Sequence, residues 1–189
     1  MAVDMFIKIG DLKGESQDQK HKDEIDVLSW SWGVSNIGSA HIGGGSGTGK
    51  ASVQDLTFTK WMDKASTPLL LACCNGKHFK EASLVIRKAG EKPLEYCKIK
   101  MEQVLISSVS HAGSGHDERL TEHVTLNFGK VSVDYTSQDD KGAAGTPIPM
   151  SWDMPPIRDH EMRLLKIEQS ATRAPIIPRL WQSKFMRKQ

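Results

Sequence analysis

The sequence predicts a mainly β protein: a compact antiparallel β-barrel with one short flanking α-helix. Three observations carry that expectation. Hydrophobic residues recur with a period of two along most of the chain, which is the pattern of half-buried strands. The alternating stretches are separated by Gly-rich or polar turns, so neighbouring strands run mostly antiparallel. In the stretch Thr121–Tyr135 the apolar face switches side at Gly129–Lys130, from Val124, Leu126 and Phe128 to Val131, Val133 and Tyr135. One extra residue there, a β-bulge, restores the inward face, and bulges are common where a sheet curls into a barrel.

In chain order, Met5–Ile9 places Met5, Ile7 and Ile9 on one face. Glu24–Val34 places Leu28, Trp30, Trp32 and Val34 on one side, so Ser29 and Ser31 point to the other. That second face carries small hydroxyls. It is either the solvent face of an ordinary barrel or, in a ring, the lining of a channel. Ser35–Lys50 reads as a glycine-rich loop, and Ser52–Lys60 as a strand pairing Leu56 with Phe58. A short helix follows, with Thr67 as N-cap, Pro68 at its first position and Gly76 as its stop. Its sequence LLLACCN is apolar nearly all round. A two-turn helix is not stable alone, so it must pack on the barrel or on a neighbouring subunit. Ala82–Lys88 and the longer, bent Pro93–Ser107 are strands; Ser110–Glu118 reads as a loop and Thr136–Pro149 as a linker.

The chain has 189 residues, 38% of them hydrophobic, enough for one cored domain with a tail. Its formal charge of +2 gives no global attraction to nucleic acid. The charge is unevenly spread: residues 156–189 carry eight Lys/Arg and three Asp/Glu, a net of +5, leaving the rest at −3. Residues 1–155 are therefore expected to form the barrel domain. Residues 156–189 are a basic extension too short to fold alone, expected to be disordered or to bind a partner. No apolar run is long enough for a membrane helix, and the N-terminus lacks a signal peptide. The chain is expected to stay in the cytosol unless a machine that needs no cleaved signal exports it.

The motifs that suggest catalysis fail their contextual tests. Gly44–Lys50 fits the phosphate-cradling G-x-x-x-x-G-K pattern, which leaves a nucleotide-binding enzyme as the alternative function. The next residue, however, is Ala51 in place of the Ser or Thr that holds magnesium, and the stretch SVQDLTFTK after it alternates like a strand where a helix is required. His111, His116, Asp117 and His123 match no zinc spacing. Cys73, Cys74 and Cys97 are too few and too closely placed for a disulfide framework and read as reduced, largely buried thiols. No catalytic residue, metal site or cofactor is expected.

The segments MAVDMFIKIGDLKGES, EIDVLSWSWG, VQDLTFTKWMDKASTPLL, GKHFKEASLVIRKAG, VLISSVS and DERLTEHVTLNFGKVSVDY are collinear with the haemolysin-coregulated protein (Hcp) family of type VI secretion systems, which the chain resembles from Met1 to about Trp152. The resemblance implies a barrel with a side helix, hexameric rings with an open channel, and ring stacking into the inner tube of a contractile injector. It also implies sheath, spike and baseplate partners, small effectors held in the lumen, export through the machine without a signal peptide, and no stable membrane insertion. Ser29 and Ser31 would then face the lumen. Gly43, Gly44, Gly45, Gly47, Gly49 and Lys50 would lie in a loop reaching the adjacent ring. The basic extension departs from the short members of the family.

Overall fold

The structure, a computed structural model, describes residues 3–36, 51–88, 93–115, 118–138 and 144–154. The element order is β1 (Val3–Ile9), β2 (Ile25–Asp26), β3 (Ser29–Ser31), β4 (Val34–Asn36), β5 (Ala51–Val53), β6 (Leu56–Trp61), α1 (Ser66–Asn75), β7 (His78–Lys88), β8 (Leu94–Ala112), β9 (Thr121–Asn127), β10 (Lys130–Gln138) and β11 (Ala144–Asp153). Every strand pairing among them is antiparallel. The mainly β class with a single helix is as the sequence predicts. One ladder runs β2-β1-β7-β8-β9-β6-β3; β10 adds to β8 and β11 to β10, while β4 and β5 form a separate hairpin.

Among the described residues the ladder does not close on itself by strand pairing, but its two ends are halves of one segment. Residues 25–26 pair with β1 and residues 29–31 with β6. At the join, the Val27 N–H donates to Met5 and the Leu28 N–H to Thr59, one to each side. The change of partner inverts the inward face. Ile25 and Val27 are buried before the join, and Trp30 and Trp32 pack on the core after it. Leu28, at the join itself, and Val34, in the separate β4–β5 hairpin, were also expected on the core face and are exposed. The strict alternation read across Glu24–Val34 fails because the backbone changes sheet edge in the middle.

A second inversion falls at Phe128–Gly129, where β9 ends and β10 begins. Both strands pair with β8, β9 along its second half and β10 along its first. Between the halves, Gln103 of β8 has φ +56°. A Cβ on Gly129 would press on the Gln103 side chain, whose amide end would have to move aside. The expected break is present, as a kink between two strands and not as a bulge within one. Val124, Leu126, Phe128 and Val131 are all buried around it. The core is completed by Ile7, Ile9, Leu56, Phe58, Leu84, Ile86, Ile99, Met101, Val104 and Ile106.

Four further expectations are corrected. The segment read as a linker, Thr136–Pro149, holds the end of β10 and the first part of β11, two arms of a hairpin paired from Gln138↔Ala144 to Lys130↔Asp153. Prolines at 147 and 149 hid the strand, since proline is depleted in strands except at edges. β11 is an edge, and the Met154 N–H, of the parity opposite to the prolines, donates inward to Gly129. Both proline rings thus stand on the unpaired side. The loop expected from Ser110 begins later, because β8 runs on to Ala112. The helix starts at Ser66, with Ala65 and not Thr67 as N-cap, and Gly76 stops it in the left-handed conformation at φ 65°. Asp63 organises that start: its Oδ1 accepts from the Ala65 N–H, and its N–H donates to Ser66 Oγ. The thiols are less buried than expected: Cys73 and Cys97 are half-buried, and Cys74 is exposed with Leu70 and Leu71 on a side of α1 left uncovered.

The outer side of β1 is sealed by the loop of residues 10–24. His21 stacks on Phe6 with ring centroids 4.5 Å apart. Arg87 Nη2 lies 2.6 Å from Asp18 Oδ2 and 2.9 Å from Asp4 Oδ2. The guanidinium, helped by the Lys20 and His21 N–H groups, holds the Asp18 carboxyl well below the usual carboxylate range. Because the folded-state value is the lower one, this contribution is complete above the ordinary Asp range and is lost as pH falls through it. Asp18→Asn is therefore expected to melt below the unaltered protein at pH 7, with the gap narrowing as pH drops below about 4. Melting curves across pH 3–8 check this; a gap independent of pH would refute it.

Candidate functional site

The sequence-predicted Ser29 and Ser31 open onto a two-row surface spanning four strands. Ser29, Thr59, His123 and Ser110 are successive cross-strand partners, as are Ser31, Thr57, Thr125 and Ser108. The strands are about 4.8 Å apart and the rows about 6.8 Å, two residues along a strand. Seven of the eight side chains are hydroxyls, the other is His123, and none is a Lys, Arg, Asp or Glu. The middle members pair within the rows: Thr57 Oγ1 lies 3.2 Å from Thr125 Oγ1, and Thr59 Oγ1 lies 2.9 Å from His123 Nδ1. The outer serines make no side-chain hydrogen bond among the described residues, so their hydroxyls are available to a ligand.

Ser108 and Ser110 were missed by sequence reasoning. Ile106 of β8 points inward, and strict alternation would send Ser108 inward too. The register shifts between Ile106 and Ser108, leaving Ser107 as the extra residue, whose Oγ donates to Asp55 Oδ2 at 2.8 Å. That bulge turns the next two serines outward. The available signal was the parity change from Val104 and Ile106 to Val109, of the same kind as the switch at Gly129.

Directly behind the first row lies a buried ionic cluster. Lys60 and Glu122 are fully buried cross-strand partners, with Nζ and Oε1 2.8 Å apart. Lys60 Nζ also donates to Asp63 Oδ1 at 2.6 Å, the Trp61 carbonyl at 2.8 Å and Ser66 Oγ at 3.1 Å. Ser66 Oγ donates to Glu122 Oε1. Glu122 Oε2 accepts no hydrogen bond and has His111 Nε2 3.4 Å away. These groups tie the start of α1 to β6, β9 and the end of β8, and so fix the strands that display Thr59, His123 and Ser110.

A second exposed surface has the opposite character. A groove of about 400 Å³ is lined by Trp32, Val34, Val53, Val131, Met150 and Trp152, with Asn36 and Ala51. Trp152, Met150 and Ile148 sit across from Val131, Val133 and Tyr135. The side of β10–β11 that is core at Val131 thus continues outward with little to cover it: Trp152 is 48% exposed and Ile148 65%.

The glycine-loop candidates Gly43, Gly44, Gly45, Gly47, Gly49 and Lys50 lie outside the described residues. Lys50 leads directly into β5, a strand, where phosphate cradling requires a helix N-terminus. His116 and Asp117 also lie outside, and among the described residues no group of three or more His, Cys, Asp or Glu could hold a metal. Burial, with Asp134 adding, pushes the Cys97 thiol up, away from the thiolate a nucleophile needs. No described helix is long and apolar enough to cross a membrane.

Comparison with known proteins agrees with this architecture. The profile of the family described as type VI secretion system effector, Hcp, matches residues 6–135. The chain is 58% identical over 156 residues to Protein hcp1 of Pseudomonas aeruginosa, covering 82% of this chain and 96% of that protein. Among solved structures, it is similar to a type six secretion system protein (TM-score 0.77, 36% identity, 80% of this chain and 96% of that one). It is also similar to Hcp1 from Salmonella typhimurium (TM-score 0.66, 40% identity, 81% and 95%). A profile match over most of the barrel, together with a relative of this identity across nearly its whole length, means that the chain belongs to the Hcp family of the type VI secretion system.

Proposed function

We propose that this chain is a structural subunit, not an enzyme, whose copies close into hexameric rings that stack into the inner tube of the secretion apparatus. In this reading it leaves the cell through that apparatus, and its contractile sheath, spike and baseplate are the partners. The observation that carries the proposal is the division of the exposed surface. The groove and the β10–β11 hairpin present contiguous apolar side chains of the kind that mark protein contacts. The two-row surface presents hydroxyls without a charge or a large apolar group. A neighbouring copy covering the first and a channel bordered by the second is the arrangement in which both make physical sense, since a head-to-tail contact closes when its rotation divides a full turn. Gly43–Lys50 would then contribute to ring stacking.

The hydroxyl rows also suit transient cargo. Free serines offer hydrogen bonds to a small effector protein, while the lack of apolar area keeps the hold weak enough for release. Ser31→Arg is expected to leave rings intact in electron micrographs while abolishing co-purification of a co-expressed small effector protein. Retention of that effector by the variant would remove Ser31 from the site. Loss of the rings would instead place Ser31 in a subunit contact.

A further inference from the structure

One step beyond the second hydroxyl row, on the same face, lies a third row of a different kind. Asp55 precedes β6 with the parity of Thr57 and Thr59, and Asn127 ends β9 with the parity of Thr125 and His123. The Asp55 carboxylate ties three strands together. Its Oδ1 accepts from Asn127 Nδ2 and its Oδ2 from Ser107 Oγ, each at 2.8 Å. The backbone before it is anchored as well: the Gln54 N–H donates to the Gly33 carbonyl and the Gln54 carbonyl accepts from Trp32 Nε1, both at 3.0 Å. With both oxygens engaged and the preceding residue held, the carboxylate is fixed in direction.

What it fixes is the bulge that turns β8 outward. Ile106 is buried and Val109 packs on the core. The two are three positions apart in sequence, so one extra residue must stand between them for both to face inward. Packing does not choose which, since Ser107 and Ser108 carry the same side chain and both are exposed. In the structure Ser107 is the extra residue and Ser108 the partner of Thr125. Ser107 Oγ also lies 3.3 Å from the Thr125 carbonyl, but a hydroxyl has one proton, and the carboxylate is the nearer and charged acceptor. A contact from a distant part of the chain thus decides what the local sequence leaves open.

We propose that Asp55 is a positioning residue for cargo: by pinning the extra residue at Ser107, it sets the free Ser108 hydroxyl at the end of the second row. The inference rests on the reading of the hydroxyl rows as the cargo surface. Without the carboxylate the extra residue can move between Ser107 and Ser108, while Ile106 and Val109 keep the strand on either side in register. The row then ends in a hydroxyl that is no longer held in one place. Asp55 acts through Ser107 and needs no contact with cargo, so its accepting oxygens matter and its charge does not. Asparagine can keep both contacts, accepting from Asn127 through Oδ1 and donating to Ser107 Oγ through Nδ2.

The test compares the full chain carrying Asp55→Ala, Asp55→Asn or Ser31→Arg by two readouts. One is amide hydrogen exchange in the peptide spanning residues 104–110. The other is retention of a co-expressed small effector protein that the unaltered protein holds. Asp55→Ala is expected to speed exchange in that peptide about tenfold or more and to weaken retention about fivefold or more, the loss of roughly one hydrogen bond per contacting copy. Asp55→Asn should restore both. Ser31→Arg should lose the effector without altering exchange. Unchanged exchange in Asp55→Ala, or an effector kept by Asp55→Ala and lost by Ser31→Arg, would overturn the positioning role. So would an Asp55→Asn variant that behaves like Asp55→Ala, since the charge itself would then be what matters. Retention by both Asp55→Ala and Ser31→Arg would instead remove the cargo surface, and this proposal with it.

Discussion

Lys60→Ala is expected to destabilise the fold by about 3–5 kcal/mol, because it leaves Glu122 as a buried charge without its partner. Lys60 and Glu122 are both fully buried. With the ammonium gone, Asp63 and Ser66 lose a shared donor as well, and the start of α1 loses its tie to β6. For a chain of this size the loss corresponds to a drop in Tm of roughly 10–15 °C. Glu122→Leu alone should cost a similar amount for the mirror-image reason, by stranding Lys60. The double variant Lys60→Met/Glu122→Leu should recover most of it, since a packed apolar pair of similar volume has no desolvation penalty to offset. Chemical denaturation of the three variants checks this. A cost below about 1 kcal/mol for Lys60→Ala would mean that the cluster is hydrated and behaves like a surface pair.

Met150→Glu is expected to convert rings into monomers that keep the fold. Met150 is 44% exposed in the single chain, so the change is harmless to the isolated barrel. In the proposed ring the groove is covered, and an unpaired carboxylate there costs about 3–5 kcal/mol at each contact. That lowers each pairwise affinity by about 10²- to 10⁴-fold. Light scattering after gel filtration should report a monomer mass, with an unchanged far-UV circular dichroism spectrum. A variant that still forms rings would move the subunit contact away from the groove.

Much of this architecture is written in local periodicity. Ile7 and Ile9, Leu56 and Phe58, and Leu84 and Ile86 alternate inward as read, and Ser31 opposes the Trp face as read, because one strand with one buried side leaves only one choice of face. A parity reading is at risk wherever the inward face inverts, by a change of partner strand or by a bulge. At Val27–Leu28, Ile106–Ser108 and Phe128–Gly129 the inward face inverts, and a parity rule carried across such a point assigns every subsequent side chain to the wrong side. The switch at Gly129 was legible because two clean apolar triplets flank it. The one at Ser107 hides among small polar residues, so Ser108 and Ser110 could not be placed on the site. The Lys60–Glu122 pair was invisible for a different reason: a charged residue in an alternating strand looks exposed unless its partner on another strand is known. The same limit applies to His21, whose two carboxylate neighbours, Glu24 and Glu95, are brought beside it only by the fold.

The two proline rings on the open side of β11 bear on how copies of this chain can meet. A bare edge strand is a template: a second chain can zip along it, and each added strand exposes a new edge. Pro147 and Pro149 remove two of the amide donors that such a zipper would need and fill the space where its backbone would lie. Growth by backbone pairing is thereby blocked along the middle of the strand, leaving only the stretch near Ser151 and Asp153. Copies meeting at this side must instead fit side chain to groove, a contact that stops when its shapes are matched. The edge of β11 is in this way protected from runaway fibre formation.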